Sequence, residues 1–484
     1  MKLREVIKDL DILGGSCDLN TEIRGVCYDS RRVQPGDLFV AVRGFETDGH
    51  RYIPMALEKG AAAVLCEELQ AEGAPCLLVA DGRLALALAS RAFFGDPAGR
   101  MTVIGLTGTN GKTTSSYLIK HMLEQELDAK VGLIGTNGIM IGETVLPSEH
   151  TTPESYELQK LFYEMAEAGC THVVMEVSSH SLALERVAGI RYAVGVYTNL
   201  TQDHLDFHGT MEEYASAKRL LFRQCSCAWI NADDGWADFM MQDAPCPIRR
   251  FSAEHNDAEL VAKDIRLSAT GVRFAAVTDG DLALARLAIP GMFSVHNALG
   301  VMAVGLSLGL SLAQCAHALE TAKGVKGRVE SVPTDGNYAI LIDYAHTPDA
   351  LENVLKTLKS VTKGRLIALF GCGGDRDRGK RPLMGQIAEN NADLCIVTSD
   401  NPRTEDPEAI IRDILSGMKA RRETVKVIPD RVEAIQWAID AARDGDVIVL
   451  AGKGHEDYQV IGKTKQHMDE REIVAEYIER RKRA

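Results

Sequence analysis

Short apolar runs punctuate the chain, and between most of them the apolar positions fall at helical spacing. A first series occupies 38–42, 61–65 and 76–79. A second occupies 101–106, 131–134, 172–177, 192–197 and 228–231, and a third 339–343, 366–370, 394–398, 425–428 and 447–450. Runs this short and this continuously apolar suit strands buried on both faces of a sheet. The spacing predicts a helix over about 112–126 and another starting at Pro348. Strands alternating with helices predict the α/β class, with mostly parallel, doubly wound sheets.

Turn chemistry divides the pattern. Phe94-Gly95-Asp96-Pro97-Ala98-Gly99 reads as a linker, and so does Gly324-Val325-Lys326-Gly327-Arg328 followed by Pro333-Thr334-Asp335-Gly336. Three α/β domains are therefore expected, over 1–98, 99–330 and 331–484. The length of 484 residues agrees, at roughly 150 residues per domain. One stretch, 287–319, carries no Asp, Glu, Lys or Arg and superficially suits a membrane span. Pro290, His296, Asn297, Gln314 and His317 interrupt it, and two buried helices are expected instead. Asn297 would begin the first, Gly309 would end it, and Ser311 would cap the second.

Composition narrows the classes of function. Hydrophobic residues make 45% and charged residues 25% of the chain, which is a globular composition and excludes disorder. A net charge of −14 argues against binding the phosphate backbone of nucleic acid or an anionic membrane. The eleven cysteines are scattered, and Cys225 and Cys227 have neither zinc nor redox spacing. Reduced thiols and an N-terminus that alternates charge with apolar residues predict a cytoplasmic protein.

The sharpest local signal is Thr107-Gly108-Thr109-Asn110-Gly111-Lys112-Thr113-Thr114, between a predicted strand and a predicted helix. Glycines let backbone N–H groups curl around phosphates, and the helix N-terminus adds a favourable field. Lys112 would reach the β- and γ-phosphates, and the Thr113 hydroxyl would ligate magnesium. The general pattern has its first glycine where this chain has Leu106. Glu176 follows Val173-Val174-Met175 near the end of the run 172–177, where an acidic group meets the metal or simply ends a strand in water. Ser178 offers a hydroxyl at the same sheet edge, best read as a cap. Thr151-Thr152-Pro153 looks like a helix start with Thr152 as N-cap; that N-terminus could also hold an anionic substrate.

His204 and His208, among the acidic groups of 199–206, suit either a metal or a surface loop. Lys218 lies in a helical stretch where lysine normally faces solvent. Three further loops follow predicted C-terminal strands: 371–382 with Arg376, 400–407 with Arg403, and 451–456 with Glu456. Arginine forks there would recognise carboxylates bidentately.

Together these strings resemble the Mur ligase family of peptidoglycan synthesis, and among its members those that add diaminopimelate. The resemblance runs from Asp29-Ser30-Arg31 to Gly452-Lys453-Gly454-His455-Glu456, and the phosphate loop fits the family with Leu106 in place. It implies a smaller N-terminal α/β domain for the UDP-sugar peptide, a central P-loop ATPase-type domain, and a C-terminal Rossmann-like domain for the incoming amino acid. Ser30, Phe45, Glu46 and Thr47 would touch the uridine nucleotide, and Thr151, Thr152, Ser178 and Arg186 the sugar-peptide. Leu184 stands where some relatives have a glutamine contact.

The resemblance also places Gly108, Thr109, Asn110, Gly111, Lys112, Thr113, Thr114, Asn297, Arg328 and Asp343 on ATP. Thr113 and Glu176 would bind one Mg2+ and His204 a second, with Lys218 carbamylated into a metal-bridging anion. Lys112, Lys218, Glu176, His204 and Arg328 would carry catalysis. Arg376, Asp400, Asn401, Pro402, Arg403, Gly452 and Glu456 would bind meso-diaminopimelate. Arg403, alongside Arg376, would clamp its distal carboxylate and would repel the ammonium of lysine.

The implied reaction is ATP-dependent amide formation on UDP-MurNAc-L-Ala-D-Glu through an acyl phosphate, by a monomer whose domains close through 95–99 and 324–335. Three alternatives are a lysine-adding or folylpolyglutamate-type ligase, a nucleotide-gated switch and a transport ATPase. Arg403 and Asp29-Ser30-Arg31 oppose the first. The absence of an Asn-Lys-x-Asp string opposes the second, and the lack of a membrane signal the third.

Overall fold

A computed structural model describes residues 1–44, 47–69, 74–148, 150–322, 324–419 and 424–483. They form two compact units, 1–261 with 299–315, and 262–298 with 316–484.

The first unit holds two sheets. The N-terminal sheet runs in the order β1 (Gly14–Ser16), β5 (Cys76–Leu78), β4 (Ala63–Cys66), β3 (Asp37–Val40), β2 (Gly25–Cys27). It is parallel except for β1. The second sheet is built on β6 (Thr102–Thr107), with β10 (His172–Glu176) on one side and β11 (Tyr192–Tyr197) on the other, both parallel to it. Beyond β10 come β7 (Val131–Gly135) and the antiparallel β8 (Gly138–Ile141) and β9 (Thr144–Leu146). Beyond β11 come β12 (Cys225–Asn231) and β13 (Ile248–Ser252). The middle strands are buried on both faces, as their unbroken apolar runs require. With β6 between strands reached by separate crossovers, its C-terminal end is where a doubly wound sheet binds ligands.

β14 (Leu260–Ser268) pairs β13 through Leu260 and Val261 and then runs into the second unit, where β15 (Gly271–Thr278) and β16 (Asp281–Leu287) form a hairpin. The run-based reading does not contain β13 to β16. Buried and exposed positions alternate along β16, so no continuous apolar run marks it. The second unit's main sheet is β17 (Glu330–Val332), β18 (Ala339–Asp343), β22 (Val447–Ala451), β19 (Leu366–Phe370), β20 (Leu394–Val397), β21 (Val425–Val427), parallel except for β17. A separate two-stranded hairpin, β23 (Tyr458–Ile461) and β24 (Thr464–His467), follows in the same unit.

Two predicted helix starts are corrected. Asn297 is interior to the helix Met292–Ser307, which begins after the turn at Gly291 (φ +94°), and Asn297 is buried rather than capping. Phe293 and Val295 extend the apolar face upstream, so the helix starts earlier than the polar residue suggests. Gly309 (φ +88°) does end it, and Ser311 caps Leu312–Thr321 by accepting from Gln314 N at 3.3 Å. The helix after Thr151-Thr152-Pro153 is Ser155–Glu167 with Glu154 as N-cap, because the Thr152 hydroxyl is held elsewhere. Among the described residues no helix is long and apolar enough to cross a membrane.

Candidate active site

The phosphate loop leaves β6 and enters the helix Lys112–Leu127. Gly108 (φ +151°) and Gly111 (φ +87°) take conformations that side chains avoid, and a Cβ on Gly108 would collide with Thr198 Oγ1. The segment after β11 braces the loop. Thr198 Oγ1 donates to the Asn110 carbonyl at 2.7 Å, Asn110 N to Asn199 Oδ1 at 2.9 Å, and Thr109 N to the Asn199 carbonyl at 2.8 Å. Lys112 Nζ folds over the loop, donating to the carbonyls of Gly108 (2.7 Å) and Thr109 (2.8 Å). Thr114 is buried on the first turn of the helix.

Glu176 does not end its strand in water. Its buried carboxylate accepts from Thr113 Oγ1 at 3.0 Å, Thr136 N at 3.0 Å and Thr136 Oγ1 at 3.2 Å. The Thr113 hydroxyl and the carboxylate are hard oxygen donors brought together at the loop, the donor set Mg2+ takes alongside phosphates and water. The pair fits such an ion.

Lys218 departs from the solvent-facing reading of its helix. It is buried, and its Nζ donates to the Gly108 carbonyl at 2.8 Å and lies 4.5 Å from the Tyr214 ring centroid. Burial, and then the nearby Lys112 ammonium, hold it well below the usual lysine range. His204 (φ +53°) precedes the short helix Leu205–His208 and stands edge-on to His180, ring centroids 4.8 Å apart. His208 is buried against Ser179 Oγ (2.9 Å), and burial pushes it down to about 4. Ser178 caps the adjacent Ser179–Ala183, accepting from Ser181 N.

A cleft of ≈ 670 Å³ lies at the N-terminal sheet, lined by Ser30, Thr47, Glu154, Leu184 and Arg186 among others. Arg186 donates to the Thr152 carbonyl at 3.1 Å and pairs with Glu154 at 2.5 Å. Thr152 Oγ1 donates to the Glu176 carbonyl at 2.8 Å and accepts from Ser178 N, and Thr151 Oγ1 meets Thr136 Oγ1 at 2.9 Å. Arg186 of the cleft is thereby linked through Thr152 to the backbone of Glu176, at the strand end beside the phosphate loop. Phe45 and Glu46 lie outside the described residues.

In the second unit, Arg328 lies over the Tyr344 ring at 5.2 Å. Asp343 accepts from Val329 N and Ala345 N, both at 2.8 Å, and burial raises its carboxyl while Arg328 lowers it. β22, β19 and β20 are neighbours, so the loops after them share one sheet edge. Arg403 (φ +51°) donates to the Gly374 carbonyl at 2.9 Å, and Arg376 stays exposed, donating to the Asp375 carbonyl at 3.1 Å. Asp400 is buried, accepting from Asn401 N at 2.6 Å. The Pro402 carbonyl packs on Gly374, and a Cβ on Gly452 (φ +113°) would come 2.6 Å from Asp400 Oδ2. Asn401 Nδ2 donates to Glu456 Oε2 at 2.9 Å.

Four supports escaped the sequence reading: Thr136, Thr198, Arg381 and Lys453. Arg381 is buried, bonding Glu405 (2.8 and 3.0 Å), Asp413 (2.8 Å) and the Gly373 carbonyl (3.3 Å). Its carboxylates lie far along the chain, which no local pattern reveals. Lys453, between two glycines at a strand end, carried the one readable signal.

Family models match three stretches: Mur ligase family, catalytic domain over 22–94; Mur ligase middle domain over 106–305; and Mur ligase, glutamate ligase domain over 327–454. A UDP-N-acetylmuramoyl-L-alanyl-D-glutamate–2,6-diaminopimelate ligase of Clostridioides difficile is 45% identical over 483 residues, covering 98% of this chain and 99% of the relative. The chain belongs to the Mur ligase family. A second Mur ligase of the same name, from Caldanaerobacter subterraneus, is 47% identical over 95% of each chain. A solved structure of a ligase with that name superposes with a TM-score of 0.76 at 34% identity, covering 100% of this chain and 99% of the other. The α/β class and mostly parallel sheets expected from the apolar runs are those of this Mur ligase.

Proposed function

We propose that the chain is the ATP-dependent ligase that adds meso-2,6-diaminopimelate to UDP-N-acetylmuramoyl-L-alanyl-D-glutamate in peptidoglycan precursor synthesis. It acts in the cytoplasm as a monomer exchanging small molecules, organised as domains over 1–98, 99–330 and 331–484. The observation that carries the reading is the convergence of Lys112, Lys218 and the Thr113–Glu176 pair on one phosphate loop. A loop with that equipment serves phosphoryl transfer.

A carboxylate is a poor electrophile, so ATP must activate it. The γ-phosphoryl group passes to the γ-carboxylate of the D-glutamyl residue, giving an acyl phosphate and ADP. An amine of diaminopimelate attacks the acyl carbon, and the tetrahedral intermediate collapses with loss of phosphate. Lys112 and Arg328 offset the charge that builds as two anions meet. Gly108 to Thr114 cradle the phosphates, and Asn297 and Asp343 complete the nucleotide site. Thr113 and Glu176 would hold Mg2+, with His204 and carbamylated Lys218 toward a second ion; the metal supplies charge neutralisation. Ser30 and Thr47 of the N-terminal cleft, together with Phe45 and Glu46, would hold the uridine end, and Thr151, Thr152, Ser178 and Arg186 the sugar-peptide. Arg376 and Arg403 clamp the distal carboxylate of diaminopimelate and Glu456 its ammonium, within the frame of Asp400, Asn401, Pro402 and Gly452.

The test is ATP-dependent phosphate release with magnesium and UDP-MurNAc-L-Ala-D-Glu, run with meso-diaminopimelate, with L-lysine, and with neither. Release and a tripeptide product only with diaminopimelate is expected. Equal turnover with lysine would remove the specificity assigned to Arg403, and no acceptor-dependent release would overturn the ligase reading.

A further inference from the structure

Lys453 has no role in the mechanism above, yet its side chain is fully buried. A buried ammonium is tolerated only when paired and hydrogen-bonded. Its partners are Asn401 Oδ1 and Glu456 Oε2, each at 3.0 Å, and the Tyr458 ring centroid lies 5.6 Å away. Those two partners are residues that the proposed function places on the amino-acid substrate.

The bonding pattern is directional. Asn401 Oδ1 accepts from both Lys453 Nζ and Val460 N, which fixes the amide so that Nδ2 points to Glu456 Oε2 at 2.9 Å. Glu456 therefore receives Lys453 and Asn401 on the same oxygen, Oε2. No hydrogen bond to Oε1 is formed among the described residues, and the Glu456 side chain keeps 15% of its surface open. A carboxylate anchored through one oxygen presents the other at a set angle. An ammonium of the substrate is the group that would complete it.

We infer that Lys453 is a positioning residue for the amino-acid substrate: through Glu456 Oε2 and Asn401 it holds Glu456 Oε1 ready for a substrate ammonium. The inference rests on the diaminopimelate-ligase reading.

The experiment measures KM for meso-diaminopimelate, ATP and the UDP-dipeptide, with kcat, in the full-length wild type, Lys453→Met, Glu456→Gln and the double variant. Losing a charged hydrogen-bond partner should raise the diaminopimelate KM about tenfold in either single variant, with the other two KM values within about twofold. The double variant should be no worse than Glu456→Gln alone, because Lys453 acts through that carboxylate. Three results would overturn the inference: an unchanged diaminopimelate KM in Lys453→Met, all three KM values rising together, or multiplying defects in the double variant. If Lys453→Met does not fold, the double variant, which buries no unpaired charge, decides against Glu456→Gln by the same criterion. A wild type that turns over no diaminopimelate fails the proposed function itself, and is thereby told apart from a failure of Lys453.

Discussion

Lys218 and Lys112 donate to the same backbone carbonyl, that of Gly108, at 2.8 and 2.7 Å. Two ammonium groups on one acceptor repel each other, and Lys218 is the more deeply enclosed. Loss of its proton relieves both the burial and the repulsion, and the neutral amine is the form that adds carbon dioxide.

Because the Lys218 amine is displaced downward, it is neutral at a lower pH than a solvent-exposed lysine, and its reactive fraction grows as pH rises. A carbon-13 carbamate resonance is expected from bicarbonate-labelled protein, stronger at higher pH. Lys218→Arg, which cannot lose its proton, should lack the resonance and lose about 100-fold in kcat, about 2.7 kcal/mol of barrier. A resonance of equal strength in that variant would place the carbamate elsewhere.

Lys112→Ala should abolish turnover while leaving the melting temperature nearly unchanged, since the half-buried side chain donates to carbonyls of its own loop. A kcat loss of at least about 100-fold is expected from removing one cation that stabilises transferring phosphate. Wild-type ligase activity would remove the loop from the reaction.

Arg403→Ala should raise the diaminopimelate KM by about 10- to 100-fold, the range for one charged hydrogen-bonding partner, and leave the ATP KM unchanged. The ratio of diaminopimelate to lysine turnover should fall in parallel. An unaltered ratio would move specificity to Arg376 or Glu456.

Arg381 beside Glu405 holds that carboxyl down to about 2, from an ordinary 4.5. A carboxyl with a depressed folded-state value stabilises the fold fully above pH 4.5 and loses that contribution as pH falls toward 2. Melting temperature should therefore fall more steeply below about pH 4 in the wild type than in Glu405→Gln. Arg381→Met, which leaves Glu405 and Asp413 without their buried partner, should lower it by at least about 5 °C at neutral pH. Equal acid sensitivity in wild type and Glu405→Gln would remove Glu405 from the account.

The sequence by itself determined which segments become interior strands, because a strand covered on both faces must be apolar throughout, and 192–197, 339–343 and 366–370 needed no partner to be recognised. It also determined the phosphate loop, whose glycines, lysine and threonine are contiguous. The tertiary structure decided what depends on distant partners or on two-sided patterns. The alternating strand Asp281–Leu287 shows no unbroken apolar run, and Asn297 reads as a cap until the helix around it is seen to be buried. Lys218 has the local pattern of a surface lysine, and only the packing of Met211–Arg219 brings it to Gly108. Glu176 meets Thr113 and Thr136, and Lys453 meets Asn401, because parallel strands set the ends of separated segments side by side. Burial and hydrogen-bond partnership belong to such juxtapositions, and they turn an ordinary lysine or carboxylate into a group with a fixed orientation and an altered proton affinity.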